Sequence, residues 1–360
     1  MLQRPATRRP ASAAVMEGDR SARARFTLAG LAVLLFVTGI FGLVLGAADL
    51  PAWRVILTWV GLDDGAGLKA TDYLIMESIR LPRIIMAILI GGGLAVSGAL
   101  MQGLFRNPLA DPGIVGVSSG ASLGAVSSIV LNGGLLAFAG IYALPFSAFL
   151  GGLLTTWLLY RIATRNGRTS IATLLLAGIA IGAFAAAATG LLIFMADDAQ
   201  LRDITFWSLG SLAGATWSKI AATAPIILIA FAATPFLARG LNALALGESA
   251  AHHMGIPVQR MKNVTIVVVA AATGAAVAAA GVIGFVGIVV PHLLRLAIGP
   301  DHKYLLPCSA LLGGAFLTLA DGVSRTIVAP AELPIGIVTA AIGAPFFLWI
   351  LLRRRGLLDL

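Results

Sequence analysis

Charged residues in this chain come in short clusters separated by long stretches that hold none, and that alternation sets the first expectation. A helix needs about 20 consecutive apolar residues to cross the hydrocarbon of a bilayer. Phe26–Ala48 and Ile84–Phe105 each suit one crossing. Pro112–Tyr160 contains no Asp, Glu, Lys or Arg and is long enough for two, with a turn near Asn132–Gly134. Thr169–Ala196 and Ile220–Ala238 supply one each, and Asn263–Ile298 supplies two with a break near Ala280–Gly284. Leu305–Ala320 and Leu333–Leu352 complete the set. The pattern predicts an all-α membrane protein of ten transmembrane helices with both termini on one side. Residues 1–25, rich in Arg, Ala and Pro, are expected to form a disordered basic tail ahead of one transmembrane domain over residues 26–360. Pro51–Leu62, with Trp53 and Trp59, reads as an amphipathic piece at the membrane interface, where aromatic rings prefer to sit.

Composition removes the alternatives. Only 11% of the 360 residues are charged and 59% are hydrophobic, with a mean hydropathy of +0.95. Soluble domains carry roughly a quarter charged residues, so a soluble two-domain enzyme is excluded, as is disorder of the whole chain. The 42 glycines suit helices packed closely in lipid. A net charge of +9 does not imply nucleic acid here, because basic residues gather in the cytoplasmic loops of membrane proteins. Of the 25 Lys and Arg residues, 18 fall on the side of the termini and seven opposite: Arg54, Lys69, Arg80, Arg83, Arg202, Lys219 and Arg325. Both termini are therefore expected in the cytoplasm. Phe26–Ala48 is too long for the apolar region of a cleaved signal and suits a retained first span. The single cysteine, Cys308, allows neither an internal disulfide nor a cysteine metal cluster and reads as a packing residue.

No run has an ionisable side chain near its centre; His292 and Arg295 sit in the last turns of the eighth span. Ionisable groups at that depth mark ion and proton pathways, so their absence weakens an ion-coupled secondary carrier, the alternative class. Without a carboxylate pair, a Ser–His pair or a metal cluster among the helices, no catalytic residue is assigned. The chain also lacks a G-x-x-x-x-G-K-[ST] phosphate loop, so ATP-driven work requires another subunit.

Three segments between the spans carry candidate chemistry. Arg80-Leu81-Pro82-Arg83 opens the second span, with Pro82 suited to a first helical turn. Arg80 and Arg83 then share a face at the outer surface, available to lipid headgroups or to an acidic partner. Phe105 to Gly113 places two prolines around Asn107 and Asp111, which forces a non-helical turn before a Gly/Ser-rich helix. Leu241 to Ile256 reads as two short helices broken at Gly247 and ended at Gly255, too polar to span and too apolar for free solution. His252 and His253 point about 100° apart on a helix and have no third ligand nearby, so no metal site is expected.

Taken together, FRNPLADPGIVGVSSGA, GVIGFVGIVVPHLLR and AELPIGIVTAAIGAPFF resemble, in order and spacing, the FecCD family of permease subunits of type II ABC importers for haem, ferric siderophores and cobalamin. The resemblance covers nearly everything after the first span. It implies a ten-helix permease domain over residues 26–360, a second copy of the chain around a central pathway, and two cytoplasmic ATPase subunits that hold ATP and Mg. It also implies a periplasmic substrate-binding protein and a bacterial inner-membrane location, with no cofactor bound by this chain. Coupling to the ATPase falls on residues 240–262, through Leu246, Gly247, Glu248, Ala250, Met254 and Gly255. Docking of the binding protein falls on Arg80, Arg83 and Arg325. The inner gate falls on Asn107 and Leu109, and on Thr169 and Ser170 at the start of span five, while His292 matches a position common to the family. Asp197 to Trp207 looks most like haem permeases, and Arg202 is a candidate for a haem propionate through charge-assisted hydrogen bonds. Ferric siderophore and cobalamin are the alternative cargoes.

Overall fold

The structure, a computed structural model, describes residues 20–46, 50–131, 140, 142–165 and 168–353. The described chain is almost wholly helical: α1 (Ser21–Val44), α2 (Ala52–Trp59), α3 (Ala70–Ile75), α4 (Leu81–Phe105), α5 (Val117–Val130), α6 (Ala143–Ala163), α7 (Ile171–Met195), α8 (Asp198–Ser208), α9 (Trp217–Ala245), α10 (Glu248–His253), α11 (Val258–Ala280), α12 (Val286–Ile298), α13 (His302–Thr326) and α14 (Ile335–Arg353). A two-residue antiparallel hairpin, β1 (Thr164–Arg165) and β2 (Arg168–Thr169), joins α6 to α7. Among the described residues seven helices are long and apolar enough to cross a membrane: α1, the continuous α3–α4 stretch Ala70–Phe105, α6, α7, α9, α11 and α13. At the other three expected positions stand the shorter apolar helices α5, α12 and α14.

Several boundaries differ from expectation for local reasons. Helix α1 begins at Ser21, so Arg23 and Arg25 belong to the helix and not to a tail ending at residue 25. Pro82 does not open the second span. The helix already runs from Ala70 and widens into a π turn over Met76–Arg80 just before it, which spaces the proline ring from the preceding carbonyl it would otherwise strike. The expected turn near Asn132–Gly134 lies outside the described residues, as do Arg4, Arg8, Arg9, Arg354 and Arg355. Helix α2 buries Ala52 and Val55 and exposes Trp53 and Trp59, the division an interfacial helix needs.

Helix α4 is the axis of the bundle. Of its most apolar window 89% is buried, against 17% for α1 and α7. It packs on α13, α11, α12 and α9. Its small residues make this possible: a Cβ built on Gly98 would overlap the Gly287 carbonyl of α12, and one on Gly91 would overlap the Gly313 carbonyl of α13. Backbone contact of this kind replaces the hydrophobic drive that helices lack inside lipid.

Candidate coupling surface and transport pathway

At the end of the bundle where α9 finishes, the chain reverses at Gly247, whose φ of 108° favours glycine. The expected pair of short helices is here one: Leu241 to Ala245 simply continues α9, and only α10 is separate. Ala251 is fully buried and anchors α10, while Leu246 and Met254 on either side are 71% and 52% exposed. Gly255, at φ 77°, ends the unit. Two exposed apolar side chains thus flank a six-residue helix held from behind, a knob of apolar surface at this end of the bundle.

That knob is wired to the next spans. Lys262 of α11 is 3% exposed, and its Nζ donates to Glu248 Oε1 at 2.6 Å and approaches the Thr169 carbonyl at 3.4 Å. Gln259 Nε2 donates to Thr169 Oγ1 at 2.5 Å and to Asn263 Oδ1 at 3.1 Å, and the Thr169 hydroxyl lies 2.9 Å from that of Thr164. Ser170 caps α7 by accepting from the Thr173 amide. Helix α10, the first turns of α11 and the hairpin leading into α7 therefore share one polar cluster. Buried polar groups hold such partners tightly, because leaving one unpaired costs its full desolvation.

The turn after α4 is built from its own side chains. Arg106 adopts φ 50°, Asn107 Oδ1 accepts from the Leu109 amide at 2.9 Å, and Asp111 accepts from the Gly113 amide at 2.7 Å. Burial holds the Asp111 carboxyl above the ordinary range, against that hydrogen bond. Asn107 is exposed and Leu109 half-buried. Among the described residues no hydrogen bond joins this turn to Thr169 or Ser170, which belong instead to the α10–α11 cluster.

The opposite end requires a correction. Arg80, Arg83 and Arg325 were expected on the outer surface; they are 3%, 5% and 4% exposed. Arg83 Nε donates to Asp321 at 2.9 Å and its Nη1 to Glu332 at 2.8 Å. Arg325 Nε lies 3.0 Å from Asp321, and its Nη atoms reach the carbonyls of Leu45 and Gly42. Arg80 donates to the carbonyls of Leu43 and Val44. The last carbonyls of a helix lack intrahelical partners, and these guanidinium groups supply them, tying the end of α1 to α4 and α13. Spacing alone placed the arginines on one face; it could not show that the face looks inward. No sequence pattern assigns a role to Asp321 or Glu332, although Asp321 and Arg325 stand four residues apart, the helical spacing of an ion pair. Lys262 and Glu248, the pair behind α10, had no such local signal.

Arg202 sits on α8, exposed, and makes no ion pair with Asp198 or Asp203. Asp197 caps α8, and Gln200 Nε2 binds the Val130 carbonyl, fixing α8 to the end of α5. His292 is buried in α12 with its ring 6.3 Å from that of Phe346. Cys308 is buried in α13.

Among the described residues, seven long apolar helices on a glycine-packed axis, with an apolar knob at one end and an irregular turn after α4, define a polytopic membrane helix bundle. The chain belongs to the FecCD transport family, whose model matches residues 28–353. It is 47% identical over 278 residues to the hemin transport system permease protein HmuU of Yersinia pestis, covering 77% of this chain and 83% of that one. It is 45% identical over 289 residues to the cobalamin import system permease protein BtuC of Halobacterium salinarum, covering 80% and 76%. Among solved structures it is similar to a metal-chelate type ABC transporter in an inward-facing conformation, at 32% identity and a TM-score of 0.80 over 91% of this chain and 99% of that one. The chain is accordingly a permease of the type II ABC importer class.

Proposed function

We propose that this chain is the permease through which haem crosses the bacterial inner membrane. In this reading ten spans enclose the protein with both termini in the cytoplasm, and two copies line the pathway. Two ATPase subunits grip α10 through Leu246 and Met254, and closure of the ATPase dimer rocks the spans by rigid-body alternating access. ATP and Mg stay with those subunits. A substrate-binding protein meets the opposite face over Glu332 and reaches the arginine cluster through it. Asn107 and Leu109, with Thr169 and Ser170, form the inner gate.

The observation that carries haem is Arg202, a cation exposed midway along α8 with no carboxylate partner among the described residues. A propionate fits such a group by charge-assisted hydrogen bonds. Cobalamin is the second reading, favoured by the 45% identity to a cobalamin permease. The test reconstitutes the permease with its ATPase and binding protein and measures ATP hydrolysis with haem, ferric siderophores or cobalamin. Stimulation by haem alone is expected, and Arg202→Ala should lower haem transport several-fold while sparing basal hydrolysis. Stimulation by cobalamin alone, or equal loss of both activities in the variant, overturns the haem assignment. Uptake driven by an ion gradient without the ATPase overturns the importer mechanism itself.

A further inference from the structure

Lys219 is the third residue of α9, whose first turn is capped by the Thr216 side chain. The positive end of a helix dipole repels a cation there. The side chain is half-buried, and among the described residues its ammonium makes no hydrogen bond or ion pair. A desolvated charge, opposed by the helix and balanced by no anion, breaks local rules without compensation, which is the mark of a site.

The surroundings show what would balance it. Lys219 stands between two cavities of about 250 and 280 Å³. The first, beside Trp207 and Ser211, lies at the end of the bundle opposite α10. The second runs along α6, α9 and α11 between Phe146, Phe149 and Ile226. Ile226 follows Lys219 by seven residues, so at 1.5 Å per residue this slot reaches about 10 Å further into the span. It opens beside Phe146 and Tyr142, both about half exposed on the flank of the bundle. A cation at the mouth and an apolar slot below it match a molecule with an anionic head and a hydrocarbon tail.

We propose that Lys219 and this slot bind an anionic phospholipid of the leaflet opposite α10, with the phosphate on the ammonium and an acyl chain along Phe149 and Ile226. The site does not depend on the transport reading, since lipid binding needs neither ATPase nor cargo. The experiment titrates the delipidated, detergent-purified full chain separately with phosphatidylglycerol, phosphatidylcholine and haemin and counts bound molecules by native mass spectrometry. The protein should prefer phosphatidylglycerol. Lys219→Gln should lower that preference about fivefold, the effect of one basic residue at a membrane surface, while Lys219→Arg and a Lys303→Gln control keep it. Ala222→Leu, which narrows the slot but leaves the charge, should weaken both lipids. An undiminished preference in Lys219→Gln overturns the proposal, as does equal loss in Lys219→Gln and Lys219→Arg. If haemin, and not phosphatidylglycerol, is what Lys219→Gln ceases to bind, the lipid assignment fails and the groove is a cargo site.

Discussion

Replacing Asp321 with Asn keeps the shape of the side chain and removes the one charge shared by two buried arginines. Arg83 then retains Glu332, at 2.8 Å and partly exposed, and Arg325 retains the carbonyls of Gly42 and Leu45 and, at 3.4 Å, that of residue 321 itself. Removing one partner of a buried ion pair costs about 3–5 kcal/mol, because the remaining charge stays desolvated. The surviving contacts place this case near the lower end, at about 3 kcal/mol. At 2 °C per kcal/mol, the low end for large chains, that lowers the melting temperature by roughly 6 °C. The assay is thermal denaturation of the detergent-purified protein, followed by loss of the monodisperse gel-filtration peak. A triple variant, Arg83→Met with Asp321→Leu and Arg325→Met, should recover most of the loss, since apolar residues of similar volume often replace a buried ionic triad at no cost. If Asp321→Asn melts within about 1 °C of the unmodified protein, the cluster does not tie α1, α4 and α13 together and the argument fails.

Three further outcomes follow from the same geometry. Gly98→Ala should destabilise the protein by about 1–3 kcal/mol, the usual range for overpacking, because its Cβ meets the Gly287 carbonyl; Ser119→Ala, on a half-buried position of α5, should leave the melting temperature unchanged. Lys262→Gln should raise the ATP hydrolysed per cargo molecule moved at least twofold in the reconstituted complex, with rescue by Lys262→Arg; an unchanged ratio would show that α10 and α7 are not linked through it. Leu246→Glu should weaken capture of the ATPase subunits at least tenfold by placing a charge in an apolar contact, measured by co-purification in detergent, whereas binding at full strength would remove α10 as the coupling element.

The span pattern was legible because lipid imposes a rule that acts residue by residue. A chain crossing hydrocarbon must satisfy its own backbone groups and expose apolar side chains, so charge-free runs mark crossings whatever their partners. The break between α11 and α12 and the stop at Gly255 were equally readable, since turn chemistry is local. The first short helix before Gly247 was not, because Leu241–Ala245 packs as a continuation of α9, with Leu241 and Leu244 fully buried. The helical stretch ahead of α4 was not readable for a related reason: Pro82 signals a helix start by propensity, yet α3 and a π turn lead the helix into α4 from Ala70.

Side-chain roles divide along the same line. The sequence by itself determined that this is a membrane helix bundle, roughly where its seven long apolar helices run, and which family it resembles. Only the tertiary structure decided that Arg80, Arg83 and Arg325 turn inward onto Asp321 and onto the open carbonyls of α1. It alone joined Glu248 to Lys262 and Thr169, and it alone left Lys219, among the described residues, without an anion above an apolar slot. The reason is physical: hydrophobicity belongs to a residue, whereas the worth of a charge depends on what lies within a few ångströms of it and how far water is excluded.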